Sequence, residues 1–248
     1  MKSNFNKTII ALFFLFSLFS FSFQSVAQFD LTPEDKHLFA QKKQQAENND
    51  AQSQYEVAEM YFSGKGVLQN VNSARLWANE AAKNGNPDGY ALLADISLFN
   101  DSYFKNEFID ARKYAIKAVE LGNIKGKISL ATSLINPIGG QTDYAQAIKL
   151  LEEIMALNNP EYANAPILLG IIYMDGKGVP KDEEKALQWF DKVNEMTYSG
   201  YGQWMAAFWF SEDNTGTVTI DQEKAKKLGL LACEKGKKAG SEMFCLSD

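Results

Sequence analysis

Large apolar residues recur three and four positions apart through most of the chain, which is the spacing of a helix with one face in a core. Short polar or glycine-containing segments interrupt this pattern at regular intervals. One of them, residues 176–180, precedes a helical pattern that contains Trp189 and Phe190, and residues 64–67 form an earlier copy. The pattern therefore predicts an all-α fold of repeated helix-turn-helix units.

Two registers of small residues set the repeat length. The second helix of each unit carries one at Ala74, Ala111, Ala147, Ala186 and Ala225. The first helix carries one at Ala58, Ala94, Ala131, Gly170 and Ala207. Paired helices approach closely only where the side chains at the crossing are small. We therefore predict five units, at approximately residues 51–87, 88–124, 125–159, 160–198 and 199–236, followed by a C-terminal cap at 237–248.

The glycines of the interrupting segments have a geometric role. Gly64 and Gly176 are predicted to end their helices in the left-handed conformation, and Gly66 and Gly178 to let the chain double back. Asp182 is placed to cap the helix that follows. The spacing of a phosphate-binding loop is missing here, so these segments shape the fold and do not bind a nucleotide.

The first 27 residues have the pattern of a secretory signal peptide. Lys2 and Lys7 give a positive start, a Phe- and Leu-rich stretch follows, and residues 25–27 end in small side chains. We expect cleavage after Ala27 and export across the inner membrane. The competing interpretation, a membrane anchor, requires about 20 apolar residues, and this stretch is shorter and contains serines.

A capping helix is predicted within residues 28–50, before the first repeat. Thr32 is placed as its N-cap, Pro33 at its first position, and Glu34 and Asp35 in its first turn. This helix should cover the apolar end of the repeat array.

Charge and cysteine content narrow the environment. The chain carries a formal charge of −6, and removing a signal peptide with two lysines and no acidic residue would make it −8. An acidic chain argues against nucleic acid and against anionic lipid as partners, and we expect no membrane insertion after cleavage. Cys233 and Cys245 are expected to form a disulfide in an exported protein, with two reduced thiols as the alternative.

Residues 51–67 closely resemble the Sel1-like repeat, as do residues 169–179 together with Lys185, Ala186, Trp189 and Phe190. The resemblance extends from about 51 to 246, although the second, third and fifth units lack the Gly-x-Gly-Val turn. It implies a right-handed α/α superhelix like that of tetratricopeptide arrays, a solenoid that serves as a scaffold for protein contacts.

Catalytic and metal-binding patterns are missing from the sequence. One histidine cannot supply a convincing Ser-His-Asp or Cys-His arrangement, and two cysteines lack the further ligands of a zinc site. The resemblance also raises a beta-lactamase-like or penicillin-binding activity, but the Ser-x-x-Lys, Ser-Asp-Asn and Lys-Thr-Gly elements are absent. We predict no enzymatic activity, no cofactor and no metal.

In repeat superhelices the first helix of each unit lines the concave face. The residues predicted to contact a protein or peptide partner there are Tyr55, Glu59, Phe62, Asp95, Ile171, Met174, Trp204 and Phe208. For Trp204 and Phe208, core packing is an equally good interpretation. Core packing is favoured for Trp209 and Phe210, and for the aromatic residues Trp77, Tyr114 and Trp189 of the second helices.

The sequence thus predicts a non-enzymatic protein-protein interaction module of the bacterial cell envelope, most simply in the periplasm. The resemblance also implies a narrower alternative, an immunity protein that neutralises a toxin effector of a secretion system, such as a phospholipase or a wall hydrolase. A second alternative is an envelope scaffold or host-contact factor, and the third is a lactam-directed enzyme.

Overall fold

The computed structural model describes residues 31–99, 105–197, 200–211, 220–240 and 245. Within these residues the fold is all helical, with eleven α-helices, two short 3-10 helices and no strand. The α-helices are α1 (Pro33–Glu47), α2 (Ala51–Ser63), α3 (Val71–Lys83), α4 (Pro87–Phe99), α5 (Lys105–Glu120), α6 (Ile124–Ile135), α7 (Tyr144–Met155), α8 (Asn164–Asp175), α9 (Glu183–Thr197), α10 (Tyr201–Ser211) and α11 (Gln222–Lys238). The 3-10 helices are Pro137–Gly139 and Pro160–Tyr162. The predicted signal peptide lies outside the described residues.

The helices belong to two compact units, which we describe separately. The first contains α1 to α6 and ends at Thr142, and the second begins at Asp143 and contains α7 to α11. In each unit every helix packs against the next one along the chain. We call α2, α4, α6, α8 and α10 the A helices, and α3, α5, α7, α9 and α11 the B helices. In the first unit the A helix α4 also packs against both α2 and α6.

Helix α1 begins as the sequence predicts. The Thr32 hydroxyl accepts a hydrogen bond of 3.0 Å from the Asp35 backbone N–H, and Pro33 occupies the first turn. The helix packs on α2, where the rings of Phe39 and Tyr61 meet edge to face with centroids 5.2 Å apart. It therefore covers part of α2 at the start of the repeats.

The small residues of both registers lie at the predicted crossings. Ala58, Ala74, Ala94, Ala111, Ala131, Ala147 and Ala186 are fully buried, and Ala225 is 7% exposed. At Gly170 a methyl group would lie less than 3.0 Å from three atoms of the Phe190 ring. The prediction fails at Ala207, which is half-buried, because in α10 the adjacent Ala206 takes the buried position.

A third set of small residues, which was not predicted from the sequence, lies at three of the junctions between successive helical repeats. Gly89, Gly126 and Gly202 lie in the first turn of α4, α6 and α10, about one and two repeat lengths apart. Each packs directly on the preceding B helix, and an added methyl group would overlap it. Gly202, for example, lies on the Phe190 carbonyl oxygen and donates its N–H to Asn194 at 3.0 Å.

The turns from A to B helix confirm the predicted glycine geometry. Gly64 and Gly176 end α2 and α8 in the left-handed region, with φ of 78° and 66°. Gly66 and Gly178 also have positive φ, and they have a second role: Gly66 lies against the backbone of Asp35, and Gly178 lies against the Tyr144 ring. A side chain at Gly66 would push its turn away from α1, and one at Gly178 would push its turn away from α7.

The turns that lead into the A helices α2, α4, α6 and α8 are also regular. Their left-handed residues are Asn49, Gly85, Gly122 and Asn158, at φ of 63°, 85°, 81° and 47°. An asparagine then caps two of the A helices: Asn86 Oδ1 accepts from the Asp88 N–H at 2.8 Å, and Asn123 Oδ1 accepts from the Gly126 N–H at 2.8 Å.

These capping side chains also link successive helical repeats. The Asn86 amide donates to Gln52 Oε1 at 2.9 Å, at the start of α2. The Asn123 amide donates to Asp88 Oδ1 at 2.7 Å, at the start of α4. Each cap therefore fixes both the beginning of its own helix and the register against the previous A helix.

The aromatic residues are buried to different extents. Trp209 and Phe210 are 0% and 2% exposed, which confirms the core prediction for them. Trp77, Tyr114 and Trp189 are partly buried, and Trp77 and Tyr114 pack against the hydrophobic cluster of the first unit, which agrees with core packing for these two but not with full burial. At the positions where alanines meet, the helices are too close for a large ring, so Trp77 and Tyr114 pack at the edge of the cluster.

The C-terminal helix carries the disulfide. Cys233 of α11 is bonded to Cys245, with the two Cα atoms 4.5 Å apart. The bridge spans 12 positions and ties the end of the chain to α11. By limiting the unfolded chain, a loop of this size stabilises the fold by about 3 kcal/mol.

Substituting Gly170 tests the close helix crossing. We expect Gly170→Ala to lower the free energy of unfolding by about 1–2 kcal/mol, because overpacking costs more than the better helix propensity of alanine returns. Phe190→Leu should relieve the overlap, so the double variant should lose less than the sum of the two single variants in urea unfolding. Additive losses would show that Gly170 and Phe190 do not restrict each other.

Candidate protein-binding site

Three A helices of the first unit bring polar side chains to one face. Tyr55 and Glu59 come from α2, Asp95 from α4, and Lys125 and Ser129 from α6. The Tyr55 hydroxyl donates to Glu59 Oε1 at 3.2 Å, and Lys125 Nζ donates to the Tyr55 oxygen at 3.5 Å. The Ser129 hydroxyl donates to Asp95 Oδ1 at 2.5 Å. We call these five residues the polar A-face.

Helical spacing explains why these residues meet. Tyr55 and Glu59 are four positions apart, as are Lys125 and Ser129, so each pair shares one helix face. The caps Asn86 and Asn123 set where α4 and α6 begin, and therefore which residues of α6 face α2 and α4. The polar A-face therefore depends on the caps as well as on its own residues.

Burial and nearby charges raise the pKa values of two residues of the polar A-face. Burial, together with the negative charges of Glu59, Asp88 and Asp95, raises the pKa of Tyr55, so its hydroxyl stays protonated and available to Glu59. Burial raises the pKa of Asp95 to about 7, although the Ser129 hydrogen bond and the Lys125 charge oppose the shift. The polar A-face therefore holds one carboxyl group that titrates near neutral pH.

A second group of interest is aromatic and lies on α10 in the second unit. Tyr201 and Trp204 stack with centroids 5.8 Å apart and planes at 18°, and Trp204 and Phe208 stack at 6.0 Å and 17°. Tyr201 is buried, whereas Trp204 and Phe208 are half-buried. We call Trp204 and Phe208 the aromatic pair. It offers large, rigid side chains of the kind that dominate binding energy in protein interfaces.

The structure separates the eight residues predicted to contact a partner by their exposure. Glu59 is exposed, and Asp95, Trp204 and Phe208 are partly exposed. Four others are buried: Tyr55 at 8%, Phe62 at 7%, Ile171 at 1% and Met174 at 0% exposed. Tyr55 and Phe62 pack in the hydrophobic cluster of the first unit. Burial argues against direct partner contact by these four residues.

The sequence analysis missed Lys125 and Ser129. Both lie in α6, in one of the three repeats that lack the Gly-x-Gly-Val turn, so the repeat register gave no sign of them. Aligning α6 with α4 on their caps, Asn123 and Asn86, matches Lys125 with Asp88 and Ser129 with Leu92. The caps therefore fix where α6 begins but do not mark either residue.

The described residues contain no group of three or more His, Cys, Asp or Glu side chains that could hold a metal ion. Among those same residues, none of the helices combines the length and apolar character needed to cross a membrane. What the polar A-face and the aromatic pair offer chemically is hydrogen bonding, charge pairing and aromatic contact.

Comparison with known proteins identifies the family. The sequence model of the Sel1 repeat matches residues 51–86, 87–123, 165–193 and 200–237. The chain is 33% identical over 200 residues to the Sel1-repeat-containing protein YjcO of Escherichia coli K12, covering 80% of this chain and 85% of that protein. This chain therefore belongs to the Sel1 repeat family.

Solved structures agree with the fold. The crystal structure of a protein from Klebsiella pneumoniae subsp. pneumoniae, described as a sel1 repeat protein, has a TM-score of 0.64 and 33% identity, over 83% of this chain and 97% of that one. A Sel1 repeat protein from Oxalobacter formigenes has a TM-score of 0.55 and 20% identity, over 94% and 91%. Sel1 repeat proteins are generally non-catalytic scaffolds that bind other proteins.

The raised pKa of Asp95 gives a testable pH dependence. The folded pKa of about 7 lies above the unfolded value of about 3.9, so the folded state holds an extra proton between these values. The contribution of Asp95 to stability is therefore greatest below about pH 4 and is lost as the pH rises through about 7. Replacing Asp95 with asparagine should remove that dependence.

Thermal unfolding of the parent chain and of Asp95→Asn across this range measures the effect. The melting temperature of the parent should fall relative to the variant as the pH increases. A difference that stays constant with pH would mean that Asp95 titrates at an ordinary value when folded.

Proposed function

We propose that this chain is a non-enzymatic module that binds a polypeptide partner through its A helices. The observation that supports this most strongly is the polar A-face, where three successive A helices contribute interacting polar side chains to one surface. The A helices also carry much of the buried packing, so only their outward positions, such as the exposed Glu59 and the partly exposed Lys125, are open to a partner.

The roles within the polar A-face follow from exposure and charge. Glu59 is exposed and is the natural partner for a cationic side chain or a backbone N–H. Lys125 is partly exposed and would take a carboxylate or a carbonyl oxygen. The buried Tyr55 lies between them and holds their relative position through its hydroxyl.

The aromatic pair is proposed as a second contact. Trp204 and Phe208 are stacked, so they lose little conformational freedom when a partner covers them. Each unit therefore offers its own kind of anchor, a charged one in the first unit and an aromatic one in the second.

The cell envelope, and the periplasm in particular, is the proposed location. The signal-peptide pattern of residues 1–27 supports export, and a disulfide between Cys233 and Cys245 fits an oxidising compartment. A narrower form of the proposal is an immunity protein that binds and blocks a secreted toxin. It requires a neighbouring toxin gene and rescue of growth when both proteins are made together.

Affinity capture from an envelope extract, followed by titration of the purified partner, tests the proposal. We expect Glu59→Ala combined with Lys125→Ala, and separately Trp204→Ala and Phe208→Ala, to weaken binding at least about tenfold, which is the loss expected when an interface anchor is truncated. Melting curves followed by circular dichroism should stay close to those of the parent for all of these variants.

Two substitutions on B helices are matched controls. Glu184→Ala removes an exposed charge from α9, and Leu76→Ala removes a side chain of α3 that is 68% exposed. Neither should change the affinity. If the controls weaken binding as much as the A-helix variants, or if Trp204→Ala mainly lowers the melting temperature, the A-helix face is not the binding surface.

A further inference from the structure

The last helix, α11, differs in charge from the rest of the chain. It contains six lysines and two glutamates, a net charge of +4, whereas the whole chain carries −6. Averaging over the chain hides this contrast, and the acidic total says nothing about the surface that α11 presents.

The basic residues of α11 fall on two sides of the helix. Lys224 and Lys235 are half-buried and face α9, where they pair with Glu183 at 3.7 Å and with Asp191 at 3.9 Å. Lys224 also lies over the Phe210 ring, 3.9 Å from its centroid. The buried residues Ala225, Gly229, Ala232 and Gly236 face inward and set the rotation of α11, so that these two lysines lie at the edge of its contact with α9.

The outward side has an ordered pattern of charge and apolar surface. Leu230 and Leu231 are 64% and 39% exposed and lie in the middle of the helix. An exposed pair of lysines lies on either side of them along the helix, at Lys226, Lys227, Lys237 and Lys238. We call these six residues the outer face of α11. Their spacings of three, four and seven positions keep them on a single side of the helix.

The salt bridges of this face leave it basic. Lys227 pairs with Glu223 at 2.9 Å and Lys238 with Glu234 at 2.7 Å, both four positions apart on the exposed surface. Exposed pairs of this kind are weak and exchange readily with other partners. Lys226 and Lys237 add positive charge beyond these two pairs.

We propose that the outer face of α11 docks on an anionic phospholipid surface. Lysines at both ends would lie at the level of the headgroups, and the two leucines between them would enter the interface, which is the arrangement of a helix that lies in the membrane plane. An acidic protein would match the charge but would leave the exposed leucines without a defined role. The membrane is the occupant that uses all four lysines and both leucines, although Glu223 and Glu234 lie on the same side of the helix and reduce its net charge to +2.

This docking is peripheral and needs no spanning helix, consistent with the described helices. It also revises the expectation that an acidic chain avoids anionic lipid, since the local charge of α11 outweighs the average of the chain within a screening length of about 8–10 Å. The inference is independent of the A-helix proposal, which depends on other residues.

Flotation with lipid vesicles tests the proposal. The purified chain is mixed at low salt with vesicles of phosphatidylcholine alone, or of phosphatidylcholine with phosphatidylglycerol. We expect binding to the anionic vesicles, which high salt reverses. Lys226→Gln combined with Lys237→Gln should weaken it about 30-fold, from about fivefold for each lysine near an anionic surface. Leu230→Ser should also weaken it.

The matched control is Lys113→Gln combined with Lys149→Gln, which makes the same charge change at exposed lysines of α5 and α7. Its binding should equal that of the parent. All variants share the same N-terminal residues, so any affinity of that segment for lipid is common to them and cancels in the comparison between variants.

Three results would overturn the proposal: no binding that depends on phosphatidylglycerol, equal loss in the control, or no loss in the lysine variant. A soluble polyglutamate probe distinguishes the other occupant. If that probe binds in a manner that depends on Lys226 and Lys237 while anionic vesicles do not, the face is a docking site for an acidic protein, and the membrane proposal is wrong.

Discussion

The close approach of neighbouring helices is the constraint on which the rest of this structure depends. Within a repeat, the two helices meet where alanines such as Ala58 and Ala74 are fully buried. Between repeats, glycines such as Gly89 and Gly202 lie on the backbone of the preceding helix. At that separation the crossing has no room for a larger side chain. Larger side chains pack against the small ones, as Phe190 does against Gly170, and exposed polar residues such as Glu59 lie on the outward sides of the A helices.

The asparagine caps align successive A helices so that their side chains form one surface. Asn86 and Asn123 each start one A helix and bond to the one before, so successive A helices are held in register by side chains as well as by close packing. This alignment brings Lys125 of α6 within hydrogen-bonding distance of Tyr55 of α2, two helical repeats earlier in the chain. The polar A-face is thus a property of the repeat array, since no single helix contains it.

Much of the fold could be predicted because its causes are local and periodic. The helix starts, the left-handed turns at Gly64 and Gly176 and the buried alanines follow from residue type and spacing. What escaped prediction depends on three-dimensional neighbours. Spacing alone did not distinguish Ala206 from Ala207 in α10, and it could not show that Met174 is buried while Glu59 is exposed. Nor did the average charge of the chain reveal the basic side of α11.

The central claim is that this protein separates its scaffold, in the helix crossings and turns, from its recognition surface, on the A helices. Hydrogen exchange of the backbone amides, measured with and without the captured partner, tests it most directly. The account predicts slower exchange in peptides covering α2, α4, α6 and α10, with B helices α3, α5 and α9 unchanged. Protection confined to those B helices, or spread evenly over the chain, would contradict it.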